Sequence, residues 1–237
     1  MITTHRERVS GMQRPRRLVS VVAVALTGAC LLSACRVDPE VAAYVGDHRI
    51  TEAEVTRLVA EATPPAGEQT RAAAPSRSAV VGSLVLEDVC RKLSADKGYQ
   101  PKRVYDAAQV AAAIGAPPES GYARSTANLL SCQTGLPVQQ VTPTEADLAD
   151  VIARGRAAGA LPAEMTDQQA AQQLAGDTLA EALSQRKVFS DALSGYDVTV
   201  NPRYRPLEYP ILPFRGGTAA VVVPIGEADS GTVVKAS

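Results

Sequence analysis

The sequence predicts a mainly α-helical protein with a small β element. A helical body carries a hairpin that pairs with a strand from the C-terminal side. Three observations lead there. Several stretches begin on a Ser or Thr cap and stop on Gly, with apolar residues at helical spacing between. One stretch, Val41 to Ile50, instead alternates around Gly46-Asp47, which suits a tight hairpin. Finally, the chain has no Trp and only two Phe. Its core must be built from Ala, Val and Leu, which favours close-packed helices over an aromatic-rich sandwich.

The hairpin leads directly into the first helix. Thr51 is its N-cap and Glu54, three residues on, completes a capping box. Ile50 and Val55 are placed for a hydrophobic staple that sets the angle between strand and helix. Val55, Leu58, Val59 and Ala62 form the apolar face. Thr63 to Pro75 shows no periodicity and reads as a flexible loop. Ser76 caps a second helix to about Lys97, with Gly98 placed as a left-handed C-cap. Its apolar face of Val81, Val85, Leu86, Val89, Cys90 and Leu93 is broad, which places it centrally.

Shorter helices are expected over Val104 to Ile114 and Tyr122 to Gln133, the latter with Tyr122, Leu129 and Leu130 inward. Thr142-Pro143-Thr144-Glu145 reads as a further start, with Thr142 as cap and Pro143 at the first helical position. That helix carries Leu148, Val151 and Ile152 and ends near Gly155. Thr166 with Gln169 opens a long helix to about Ser194, weakened at Gly176 by ~1 kcal/mol relative to Ala. This helix returns the chain to its start, so the strand Val198 to Val200 is expected to pair with the hairpin. After Arg205, Pro206, Pro210, Pro213 and Gly216-Gly217 break the pattern. Thr218 to Ile225 qualifies only as an edge strand because of Pro224. A loosely ordered tail is expected over 205–237.

The N-terminus reads as an export signal. Arg6, Arg8, Arg14, Arg16 and Arg17 precede an apolar run from Leu18 to Leu32, too short to span a bilayer. It ends in Leu32-Ser33-Ala34-Cys35, the pattern of a bacterial lipobox, in which Cys35 receives a diacylglyceryl group. The expected organisation is a signal peptide over 1–34 and a lipidated N-terminus with a short tether over 35–40. A helical domain over 41–204 and the tail follow. Without its first 34 residues the chain has nineteen basic and twenty-four acidic side chains, a net charge of −5. An acidic body does not suit nucleic acid, nor flat electrostatic adhesion to anionic lipid. The membrane contact is then the lipid, which places the protein on the extracytoplasmic face of the cell membrane. Cys90 and Cys132 remain as an even pair in an oxidising compartment, where a disulfide is expected. The alternative is two buried free thiols.

Tyr44-Val45-Gly46-Asp47 through Ile50-Thr51, followed by an acidic residue and an amphipathic helix, resembles the opening of the SurA N-terminal-type domain of bacterial chaperones and foldases. Asp197-Val198-Thr199-Val200-Asn201-Pro202-Arg203-Tyr204 resembles the closing strand and Asn-Pro-Arg-Tyr motif of actinobacterial lipoproteins of that group. The family motif continues with Gly and an aromatic-acidic pair; here Arg205-Pro206 follow instead. The resemblance covers roughly Val41 to Tyr204. It implies a holdase for unfolded or newly exported polypeptides, with no cofactor or metal. Catalytic members carry a separate parvulin domain with paired His residues. After Cys35 this chain has His48 alone, read as a solvated turn residue, and no room for that domain. No nucleophile elbow, phosphate loop, zinc motif or dinucleotide fingerprint occurs. An enzyme is therefore not expected, with an active prolyl isomerase as the third reading and a structural or regulatory envelope scaffold as the second. Candidate client-groove residues are Val81, Val85, Leu129 and Leu130. Oligomeric state is not indicated.

Overall fold

The structure is a computed structural model and describes residues 38–63, 74–137, 139 and 141–226. These residues form seven α-helices and five strands, a mainly helical fold with two small antiparallel sheets. The lipobox Leu32, Ser33, Ala34 and Cys35 and most of the Thr63 to Pro75 loop lie outside the described residues.

Strands β1 (Val41–Val45) and β2 (His48–Thr51) form the expected hairpin, with Val45 opposite His48 and Tyr44 opposite Arg49. Gly46 turns the chain at φ 57°, a left-handed conformation that costs glycine no Cβ clash. Thr51 then caps α1 (Glu52–Ala62), its hydroxyl accepting from the Glu54 N–H at 3.1 Å. Only this half of the expected box forms. The Glu54 side chain instead lines a cleft. Ile50 and Val55 are both buried, as a staple requires.

Helix α2 (Arg77–Lys97) runs through the centre, capped by Ser76 and closed by Gly98 in the left-handed conformation. It packs against α4 (Gly121–Gln133), α7 (Asp177–Gly195), β1 and β4 (Leu207–Pro213). Helix α3 (Ala107–Ile114) starts three residues later than Val104. The Asp106 carboxylate accepts from the Gln109 N–H and so sets the start. Val104 is left 79% exposed.

Two helix starts differ from the sequence reading. Helix α5 (Glu145–Ala157) is capped by Thr144, not Thr142. Both threonines have an acidic residue three positions on, but Thr144 and Asp147 satisfy each other's backbone N–H. The long helix expected from Thr166 is two helices, α6 (Asp167–Leu174) and α7. Gly176 breaks it in an extended conformation and becomes the start of α7. The two pieces then bury different faces. Ala170 of α6 packs with Ile152 and Leu161, whereas Leu179 and Leu183 of α7 pack with Val151 and Val221, and Phe189 of α7 enters the larger core.

Strand β3 (Val198–Val200) pairs antiparallel with β1, so the sheet order is β2-β1-β3. The expected loose tail is corrected over residues 207–225. There β4 and β5 (Ala219–Ile225) form an antiparallel hairpin with Leu207 opposite Ile225 and Tyr209 opposite Val223. Leu207, Val221, Val223 and Ile225 are buried against α2, α5 and α7. Pro210, Pro213 and Pro224 are tolerated because this two-stranded sheet consists only of edge strands. The hairpin is pinned to α5 by Arg154, whose two terminal nitrogens donate to the two Glu208 oxygens at 2.9 and 2.8 Å. Gly155, one residue on, leaves room for that approach. A Cβ there would lie 2.8 Å from Leu161 and 3.0 Å from Phe214.

Candidate functional site

The two ends of the domain meet in a polar clasp. Asn201, just after β3, takes its backbone N–H to the Ala42 carbonyl and its side-chain amide to the Val41 carbonyl, both at 2.9 Å. Arg203 donates to the Pro39 carbonyl at 3.1 Å and lies 3.4 Å from Glu52 Oε1. The Tyr204 hydroxyl donates to Glu52 Oε2 at 2.7 Å, and Arg77 from the start of α2 reaches the same oxygen at 2.5 Å. Burial first, and the Glu52 carboxylate second, push the Tyr204 phenol above its ordinary pKa. One carboxylate at the N-terminus of α1 thus gathers two guanidiniums and a phenol, where the helix dipole also favours negative charge. Chemically this is a fastener: every group holds a segment in place.

Cys90 and Cys132 are bonded, with sulfurs 2.05 Å and Cα atoms 6.2 Å apart. The bond joins α2 to the end of α4, and the Ser94 hydroxyl lies 3.2 Å from the Cys132 sulfur.

The candidate groove is corrected. Val81, Val85 and Leu129 are wholly buried in the main core, and only Leu130 is half-buried. The breadth of the α2 face arises because α4, α7, β1 and β4 cover it from several sides. Two clefts among the described residues carry charged side chains. One of about 160 Å³ is lined by His48, Ile50, Glu54, Leu84, Glu87, Asp88 and Arg91. His48 is half-exposed, as a turn-side residue should be, yet its Nδ1 lies 3.2 Å from Oδ2 of the 4%-exposed Asp88. Arg91 pairs with the other Asp88 oxygen, and Lys92 lies 4.0 Å away. The lining has a His–Asp pair but no hydroxyl or thiol for it to activate. A second cleft of about 410 Å³ lies between the end of α1 and the start of α4. Glu61 accepts there from Gly121 N–H at 3.0 Å and Arg57 at 2.7 Å, and these bonds, Arg57's first, hold its carboxyl below the usual range.

Sequence reading missed Asp88 and Glu52 as hubs. The available signal was Asp88 itself, a charged residue between Val85, Leu86 and Val89 on an otherwise apolar face. Among the described residues the large exposed hydrophobic side chain is Val104. It sits between Arg103 and Tyr105, whose backbone N–H groups donate to Thr134 and Ser131 at the end of α4. Arg103 also stacks 4.6 Å above the Tyr105 ring.

Among the described residues no cluster of three or more His, Cys, Asp or Glu can hold a metal ion, and no helix is long and apolar enough to cross a membrane. Comparison with protein-family models, with curated proteins and with solved structures finds no match.

Proposed function

We propose that this chain is a lipid-anchored extracytoplasmic protein of the SurA N-terminal type, which holds segments of exported polypeptide and performs no chemistry on them. The observation that supports this best is the clasp. The Asn201-Pro202-Arg203-Tyr204 motif returns to residues 39–42 and to Glu52, so the two stretches that carry the resemblance form one unit. That unit begins three residues beyond Cys35. Anchorage comes from the lipid at Cys35. Client contact is assigned to Val104, Tyr105 and Leu130, in place of the buried positions Val81, Val85 and Leu129.

A second reading, an envelope scaffold with one dedicated partner, is favoured because Val104 is the large exposed hydrophobic side chain among the described residues, whereas a general holdase needs broad exposed apolar surface. In-cell crosslinking from a photoreactive residue at Val104, read by mass spectrometry, separates the two. Val104 is exposed, so the probe leaves the fold intact. Many unrelated exported chains support the holdase; one dominant protein supports the scaffold. No crosslinked protein at all removes the assigned contact surface.

A further inference from the structure

We infer that the clasp end of the domain, bearing Arg49, Arg77 and Arg203, is a docking surface for anionic phospholipid headgroups. The inference rests on lipidation at Cys35, as proposed above. Its geometry then follows from covalent reach. Two residues, Arg36 and Val37, lie between Cys35 and Asp38, and the three Cα steps extend at most about 11 Å. The Asp38 end of the domain is therefore held at the headgroup layer whatever path the tether takes.

The guanidiniums at that end are close to the tether and to each other. Arg203 donates to the Pro39 carbonyl at 3.1 Å, and Arg49 lies 3.7 Å from Asp38. Arg77 and Arg203 share Glu52. The three Arg side chains are 42–52% exposed, whereas Glu52 beneath them is 15% exposed. Guanidiniums thus lie outermost, those of Arg77 and Arg203 already engaged within the clasp on part of their N–H groups, with their main counter-ion set below. Asp38 and Glu40 also lie here and reduce the net charge, so the surface is nearly balanced. The mature chain carries −5 overall, so nearly all of its negative charge lies elsewhere. An anionic membrane repels the acidic remainder more than this nearly balanced end, which favours one orientation of the tethered domain with the arginines toward the headgroups.

The test uses the full lipoprotein with its native anchor in phosphatidylglycerol vesicles, in phosphatidylcholine vesicles and in non-ionic detergent micelles. Arginine modification by phenylglyoxal is followed residue by residue by mass spectrometry. Arg103 is the internal control. It is tied to Thr134 near the Cys90–Cys132 bond, about 20 Å along α2 from Arg77. Arg49 and Arg203 should react at least fivefold more slowly in phosphatidylglycerol than in the other two, with Arg103 unchanged. Raising salt to 0.5 M should remove most of that difference. Equal protection in both lipids would indicate proximity without charge recognition and would overturn the inference. Equal reactivity in all three would do the same. The same spectra report the mass of the Cys35 peptide. An unacylated Cys35 refutes the anchoring on which the inference depends, and the two failures are thereby told apart.

Discussion

Replacing Leu129 by Ala discriminates core from groove. Leu129 is wholly buried and packs in the cluster that includes Val85, Leu86, Cys90 and Phe189. Its truncation removes buried methyl groups and leaves a cavity that the disulfide-linked α2 and α4 cannot easily collapse. Such changes cost about 2–5 kcal/mol, and the upper half of that range is expected here. For a domain of this size each kcal/mol lowers Tm by about 2–4 °C. The melting point should therefore fall by roughly 7–20 °C. Leu130, the next residue and only half-buried, is the matched control and should cost less than ~1.5 kcal/mol. Urea titrations should show the midpoint of Leu129→Ala shifted with the slope unchanged. A Leu129→Ala variant as stable as Leu130→Ala would refute the placement of Leu129 in the core.

Further outcomes follow from the same contacts. The Cys90–Cys132 bond links positions 42 residues apart, and loop-closure entropy values such a link at about 4 kcal/mol, so the Cys90→Ala/Cys132→Ala variant should be less stable by a comparable amount. Two thiols freely alkylated in the unreduced, unfolded protein would refute the bond. Tyr204→Phe should cost about 1–3 kcal/mol, because it removes a hydrogen bond to the Glu52 carboxylate while Arg77 stays on the same oxygen; an unchanged urea midpoint would remove the clasp's importance. Glu208 and Glu61 are held below the ordinary carboxylate value of 4.5, chiefly by Arg154 and Arg57 respectively. Their stabilisation is complete above about pH 4.5 and is lost as pH falls through the depressed values. Both are well exposed, so the effect is small. Glu208→Gln should flatten the fall in urea midpoint between pH 5 and 3, and an unaltered slope would show that the Arg154 pair contributes nothing.

The parts of the fold that were readable from sequence are those decided locally. Ser76 and Gly98 bound α2 because a hydroxyl cap and a left-handed glycine each act within one turn. The turn at Gly46-Asp47 is of the same kind. Where two local solutions compete, local reading fails. Thr142 and Thr144 both suit a cap, and only the reciprocal bond to Asp147 separates them. Gly176 reads as a weak point within a helix, but the separate burial of Ala170 and Leu179 turns it into a break. The β4–β5 hairpin was hidden because prolines argue against central strands, and nothing local states that this sheet has only two strands. Periodicity shows that Val81, Val85 and Leu129 share apolar faces; it carries no information on what covers them. In the clasp, the motif ending in Tyr204 was visible. Its partner Glu52 lies 152 residues earlier and emerges only when β3 pairs with β1.

The most direct measurement is the mass of the N-terminal peptide of the protein isolated from cell membranes. A chain beginning at Cys35 and carrying diacylglyceryl mass, with Cys35→Ser leaving the membrane fraction, is the predicted result. A mature N-terminus elsewhere, or an unmodified Cys35 in a protein that still sediments with membranes, would contradict it.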